Sequence, residues 1–290
     1  MTGLLIFGGG YLGQAVGRMA RDAGMNVAAT SRSPESRAAL QAQGFVAIDP
    51  ADEAALASAA RNAPAVLITV QPDAQGCPGL RAVIPALARA GAWPDWIGYV
   101  SSTAVYGDRN GGWAFEDDAL NAATVEGARR VKAEAGWLDI GRGMGLTVQL
   151  FRLSAIYGPG RSVVDRLRDG RARLTIQPGQ VFNRIHVEDA ARLLMASMRR
   201  PRPGGIYNVT DDAPSPAEAV IRHAAARLGL PLPPQVDLDD PSISDAMRRF
   251  YLDNKRVSNA RAKAELGWRP AYPSWREGLE AVLASDAAAR

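Results

Sequence analysis

The chain holds one cysteine, two histidines and three lysines in 290 residues. Cys77 alone can form no intramolecular disulfide and supports no cysteine-based zinc cluster. His186 and His223 stand 37 positions apart. A histidine-rich metal site is therefore not expected, and a catalytic triad would need His186. No apolar run approaches the roughly 18–20 residues of a membrane span. No basic region precedes an apolar stretch at the start of the chain. The expectation is a cytoplasmic protein without a membrane partner. Basic residues are almost all arginine: only Lys132, Lys255 and Lys263 depart from that among 34 cations, for a net charge of +4. No basic block carries interleaved aromatics, so no nucleic-acid partner is expected. Arginine suits phosphate binding and a solvated surface equally. With 22% charged and 47% hydrophobic residues, the composition excludes a disordered chain, a fibre or a coiled coil. The length suffices for a large core without staples.

Strand-like and helix-like segments alternate. Leu4-Leu5-Ile6-Phe7 is a short apolar run ended by glycines, and Leu12, Val16, Met19 and Ala20 then recur at helical spacing. Further strands are expected at 27–30, 45–48, 65–69, 96–100 and 146–150, with helices at 36–43, 53–62, 80–90 and 125–140 between them. Fully apolar strands separated by helices imply a parallel sheet covered on both faces. The regularity weakens after Gly158. Residues 159–180 read as an irregular Arg- and Gly-rich segment. A helix near 187–198, a strand at 206–209, a helix within 214–234 and a mostly helical end at 256–289 follow. The division expected is a Rossmann-like α/β domain of residues 1–158 plus about 181–210. A smaller substrate lobe would take about 159–180 and 211–290.

Gly8-Gly9-Gly10-Tyr11-Leu12-Gly13 fits G-x-G-x-x-G between the first strand and the first helix, the context that gives this pattern its meaning. Gly8 permits the tight turn, Gly10 lets the backbone approach a pyrophosphate, and Gly13 lets helix pack on strand. The helix N-terminus then offers free N–H groups to phosphate. Tyr11 and Leu12 complete the expected cofactor segment. The second strand ends in Thr30-Ser31-Arg32-Ser33 with no acidic residue to accept from a ribose 2′-hydroxyl. Arg32, 19 residues after Gly13, can instead pair with a 2′-phosphate, with Ser31 and Ser33 as hydroxyl donors. NADP(H) is thus expected over NAD(H), unless Arg32 is only a solvated surface residue. Asp49 can approach the adenine or cap the next turn.

Four further segments carry a resemblance. Ser101-Ser102-Thr103-Ala104-Val105-Tyr106-Gly107-Asp108, the Arg152-to-Gly160 stretch with Tyr157-Gly158-Pro159-Gly160, Arg184-Ile185-His186-Val187-Glu188-Asp189, and Leu266-Gly267-Trp268-Arg269-Pro270 occur in this order across nearly the whole chain. Together they resemble the extended short-chain dehydrogenase/reductase family of the NAD(P)-dependent epimerase/dehydratase type. The resemblance implies hydride transfer between nicotinamide and a carbon bearing oxygen. It puts the substrate-oxygen hydrogen bond on Ser102, with Thr103 beside it, and implies cofactor contacts at Ser101 and Leu153. It gives His186 a structural or lobe-orienting role, with Asp189 as its local partner or a helix-start residue. It further implies a possible homodimer through the helices after strands four and five.

The chain departs from that family at its acid/base. A tyrosine and, four residues on, a lysine should lie on the helix after Asp118. Here Glu126 and Arg130, or Val125 and Arg129, take those places. Arginine can bind an anion or a ribose but does not give up its proton. Tyr251-Leu252-Asp253-Asn254-Lys255 has the right letters in the wrong place and reads as a decoy. Tyr106 and Tyr157, each after a strand's C-terminal end, are the candidate phenols near the cofactor. Arg152, Arg161 and Arg184 are candidate substrate-anion donors. Two functions remain open. One is an NADP-dependent oxidoreductase or epimerase-like enzyme with a non-standard proton donor (Tyr106, Ser102 with water, or a group on the substrate), acting on a small polar metabolite. The other is a non-catalytic nicotinamide redox sensor.

Overall fold

The computed structural model describes residues 1–288. Its strands are β1 (Gly3–Phe7), β2 (Asn26–Thr30), β3 (Val46–Ile48), β4 (Ala65–Ile68), β5 (Trp96–Ser102), β6 (Trp113–Ala114), β7 (Val148–Leu153), β8 (Ala155–Tyr157), β9 (Arg184–His186), β10 (Ile206–Val209) and β11 (Arg256–Val257). Seven of them form one sheet in the order β10-β7-β5-β4-β1-β2-β3, parallel throughout. The order reverses between β1 and β4. That crevice, at the carboxyl ends of the strands, is where doubly wound sheets bind ligands. The chain is a Rossmann-like α/β protein.

The helices are α1 (Tyr11–Asp22), α2 (Pro34–Ala42), α3 (Glu53–Arg61), α4 (Pro78–Ala90), α5 (Val125–Met144), α6 (Val163–Arg168), α7 (Val187–Arg199), α8 (Ala217–Leu228), α9 (Asp245–Phe250), α10 (Ala260–Leu266) and α11 (Trp275–Ala288). Strand side chains alternate between faces, and β1 shows the consequence. Leu4 and Ile6 join the core beneath α1, α7 and α10, with Val16, Leu194 and Leu266. Leu5 and Phe7 join the opposite core under α3, α4 and α5, with Leu56, Leu87 and Trp137. A third cluster forms apart from the sheet, where Val164, Leu167, Val220, Ala224, Trp275 and Val282 join α6, α8 and α11. No helix among the described residues is long and apolar enough to cross a membrane.

Several boundaries differ from the sequence reading. The sixth strand of the chain's main pattern begins at Val148 and runs to Leu153. The preceding helix continues to Met144, where Gly145 at φ +67° ends it; only after that turn can pairing begin. Residues 159–180 are not wholly irregular. Ser162 and Asp165 form a reciprocal capping box that starts α6. Near the chain end, Arg256 and Val257 are a strand and pair with Trp113 and Ala114. The parallel pair β8–β9 sets Ala155 opposite Arg184 and Tyr157 opposite His186.

Candidate active site

The glycine loop is built as its residue types require. Gly8 lies at φ +116°, and a Cβ there would come within 2.4 Å of Thr69 Oγ1. Its N–H donates to Thr30 Oγ1 at 3.0 Å, and its carbonyl accepts from Thr69 Oγ1 at 2.6 Å. Gly9 N–H donates to Thr30 O at 2.7 Å. A Cβ on Gly13 would meet Gly8 O at 2.3 Å, whereas one on Gly10 would meet nothing within 4 Å. The loop is thus fixed from behind by two threonines and open in front of Gly10, at the start of α1. This is the free N-terminal cradle a dinucleotide pyrophosphate needs. Tyr11 leaves the loop to donate from its hydroxyl to Pro159 O at 3.0 Å, and Arg161 stacks over its ring. Burial pushes the Tyr11 phenol up to about 12. Leu12 turns inward to the core.

At the end of β2, Arg32 is exposed. Only its carbonyl is engaged, by Arg37 Nη1 at 2.8 Å. Arg37 also bonds Ser31 O and pairs with Asp49 at 2.9 Å. This brace was not foreseen, and it holds the Ser31–Arg32 turn with the Arg32 side chain outward. Asp49 caps its own turn by accepting from Ala51 N–H. Its other oxygen is on Arg37, so the capping reading fits it better than an adenine contact. Ser33 is the N-cap of α2 and accepts from Ser36 N–H at 3.1 Å, leaving Ser31 as the freer hydroxyl beside Arg32.

At the end of β5, Ser102 Oγ accepts from Ala104 N–H at 3.2 Å. Its own proton is left to donate elsewhere. Ser101 is buried and its Oγ has no partner among the described residues; Thr103 is buried in the short 3-10 turn that follows. Ser102 lies beside Leu153 in the sheet. Arg130, on α5, donates from Nη1 to Val100 O at 3.2 Å, so its guanidinium sits against the strand end that carries Ser101 and Ser102. One turn earlier, Glu126 is exposed.

Two expectations are corrected here. Tyr106 is fully buried. Its hydroxyl donates to Asn208 Oδ1 at 2.7 Å and accepts from Arg152 Nη1 at 3.0 Å. Burial pushes this phenol up to about 12. Both hydrogen bonds of this hydroxyl are made inside the protein. Arg152 is buried too and pairs with Glu134 at 2.9 Å, while Nη1 also donates to Glu116 O at 2.8 Å. It is a core ion pair and not a substrate donor. Asp189 takes the other role expected of it, as a helix-start residue in the first turn of α7. Its carboxylate accepts from Ala271 and Tyr272 N–H groups, each at 2.8 Å, and from Arg192. His186 caps α7 through Glu188 N–H, and burial lowers its pKa.

Tyr157, Arg161 and Arg184 do come together, around a cavity of about 420 Å³ bounded by β8, α6, α8 and α11. An adjoining cavity of about 340 Å³ extends toward α9. Burial raises the Tyr157 phenol, whose oxygen has no partner among the described residues. The Tyr251-to-Lys255 segment separates: Tyr251 lines the second cavity, while Lys255 Nζ bonds Gly107 O at 3.0 Å and Asp253 at 2.8 Å. Arg166 and Arg171 line both cavities and were missed. Their only sequence signal is the Arg-rich stretch before residue 180. No cluster of three or more metal-binding side chains occurs among the described residues.

The profile of the NAD dependent epimerase/dehydratase family matches residues 4–210. The fold is similar to that of a conserved protein of unknown function from Silicibacter pomeroyi, at 43% identity and TM-score 0.90, covering 98% of this chain and 99% of that one. It is also similar to a dTDP-glucose 4,6-dehydratase from Bacillus anthracis in complex with NAD, at 15% identity and TM-score 0.81, covering 99% and 97%; at that identity the likeness concerns the fold alone. In sequence, the chain is 33% identical over 141 residues to a 3-diazoavenalumate denitrifying reductase from Streptomyces sp.. That match spans 45% of each protein, so less than half of the relative's length is represented.

Proposed function

Because this chain belongs to the NAD-dependent epimerase/dehydratase family, we propose that it is an NADP(H)-dependent oxidoreductase of that family. Its substrate would be a small anionic metabolite, handled without a tyrosine–lysine acid/base pair. The observation that carries the cofactor choice is Arg32, exposed at the end of β2 with no side-chain partner among the described residues, where an NAD site has a carboxylate. Gly8, Gly10 and Gly13 hold the pyrophosphate at the N-terminus of α1, and Arg32 with Ser31 takes the 2′-phosphate. The nicotinamide, when bound, supplies the hydride donor or acceptor.

The chain's own residues then do three things. Ser102, with its oxygen already accepting from Ala104 N–H, donates a hydrogen bond to the substrate oxygen and keeps its proton. Thr103 and Ser101 shape the strand end around it. Arg130, held on Val100 O, supplies positive charge and hydrogen-bond donors and is not the acid/base. The proton therefore comes from water at Ser102 or from the substrate. The reductase name of the Streptomyces relative agrees in reaction class. The test is Arg32→Ala. It should weaken NADPH at least tenfold and leave NADH within twofold. Equal losses for both would remove the 2′-phosphate assignment.

A further inference from the structure

We propose that the paired cavities between α6, α8 and α9 recognise a carboxylate borne on an apolar body. Arg184 and Arg166 would bind the carboxylate, and Phe182, Tyr251 and Ile221 would enclose the body. This rests on the oxidoreductase reading above and specifies its substrate class.

The first argument is charge. Two neighbouring arginines of this lobe have a carboxylate: Arg168 has Asp286 and Arg171 has Asp169. Arg184 and Arg166 have none among the described residues. Arg184 is half-buried and held by Nη1, which donates to Ser215 Oγ at 2.9 Å and to Phe182 O and Ser215 O at 3.1 Å. Those bonds fix the plane of the guanidinium and leave Nη2 and Nε without a protein acceptor. Arg166 lines the same cavity wall, and its side chain makes no hydrogen bond among the described residues. Burial lowers Arg184 to about 10, and Arg166 pushes it further down. Burial and the nearby Arg171 lower Arg166 as well. The buried Asp211 does not neutralise them, because its own burial raises it to about 8. A half-buried guanidinium beside a second, exposed one on the same cavity wall is relieved by an incoming anion, and a planar carboxylate matches guanidinium geometry.

The second argument is the wall. The cavities share Ala155, Val163 and Ile221 as well as the two arginines. Beyond them, the Phe182 and Tyr251 rings meet edge to face at 4.9 Å, and Met247 and Phe250 close the far side. This lining suits hydrocarbon, with the Tyr251 hydroxyl as a further donor at the charged end. Volumes of about 340 and 420 Å³ fall in the range that holds small ligands.

The third argument is direction. Arg184 lies opposite Ala155 in the β8–β9 pair. Ala155 follows Leu153 by two residues, and Leu153 lies beside Ser102. The cavity wall that carries Arg184 is thus tied through β8 to the strand end where Ser102 stands. The Tyr251 segment serves as substrate wall, not as acid/base.

The test uses the full-length protein and calorimetry. The probes are phenylalkanoic acids from phenylacetate to 5-phenylvalerate, their primary amides, inorganic phosphate and phenyl phosphate. At least one acid should bind, and its amide should bind at least tenfold more weakly. Arg166→Gln and Arg184→Gln should each weaken that acid tenfold or more, with NADPH affinity within twofold. The Arg166 side chain is exposed and makes no hydrogen bond among the described residues, so its variant keeps the fold if Arg184→Gln does not. The proposal is overturned if no acid binds, if amides bind as well as acids, or if phosphate or phenyl phosphate binds better. The acids are titrated without cofactor, so a failure of NADPH binding strikes the cofactor reading and not this one.

Discussion

Glu134 and Arg152 form an ion pair of 2.9 Å in which each side chain is only 3% exposed. It links α5 to β7, and through Arg152 Nη1 it reaches Tyr106 and Glu116. A buried pair of this kind adds little net stability, but removing one partner strands the other charge at a cost of about 3–5 kcal/mol. Glu134→Gln should therefore lower unfolding free energy by an amount of that order in urea titrations. Glu134→Gln combined with Arg152→Met should recover part of the loss. A single variant as stable as the parent would show that the pair is solvated.

The same network separates structure from chemistry. Tyr106→Phe should leave turnover within about threefold, because the phenol faces Asn208 and Arg152 and not the cleft. It should cost about 1 kcal/mol of stability for the lost hydrogen bonds. Ser102→Ala should reduce kcat by about a hundredfold or more if its hydroxyl polarises the reacting oxygen. Steady-state kinetics on the two variants checks both statements; the opposite ranking would return Tyr106 to the reaction.

The glycines predict different failures. Gly10→Asp places a side chain in open space. The variant should fold with an unchanged melting temperature and lose NADPH binding. Gly13→Ala sets a Cβ against Gly8 O at 2.3 Å and should lower the melting temperature as well. Thermal unfolding with and without NADPH distinguishes the two, and a Gly10→Asp protein with normal NADPH affinity would remove the cradle from the account.

Asp211 is 1% exposed and its carboxyl rises from 3.8 to about 8, burial being the main cause. The folded protein keeps this proton between those pH values and the unfolded chain does not. Its contribution is therefore present below about pH 4, falls as pH rises toward 8, and is flat above that. Asp211→Asn keeps the acceptor for Ala213 N–H and carries no charge. It should match the parent at pH 4 and exceed it by at least about 2 kcal/mol at pH 8. Urea unfolding across pH 4–9 tests this, and a difference that does not grow with pH would contradict it.

What the sequence made legible depends on whether a residue's role is local. Gly8, Gly10 and Gly13 answer to the backbone around them, so spacing and context are enough to place them in the turn between β1 and α1. The large sheet was legible because β1, β4 and the first five residues of β5 are apolar on both faces. Arg152 misled because its partner Glu134 comes from another element and nothing in the spacing announces the pair. Tyr106 misled for the same reason, since Asn208 lies 102 residues away. The short strands β6, β8, β9 and β11 hold two or three residues each, too few to show alternation. Arg166 became meaningful only when α6 turned it toward Arg184.

The most direct test of the account is a calorimetric titration of the wild-type protein with NADP+, NADPH, NAD+ and NADH. The account predicts comparable affinities for NADP+ and NADPH, each at least tenfold tighter than the corresponding form of NAD(H). Binding of one redox form alone would indicate a sensor instead of an enzyme. Equal affinity for NAD(H), or no binding of any form, would contradict the roles given to Arg32 and the glycine loop.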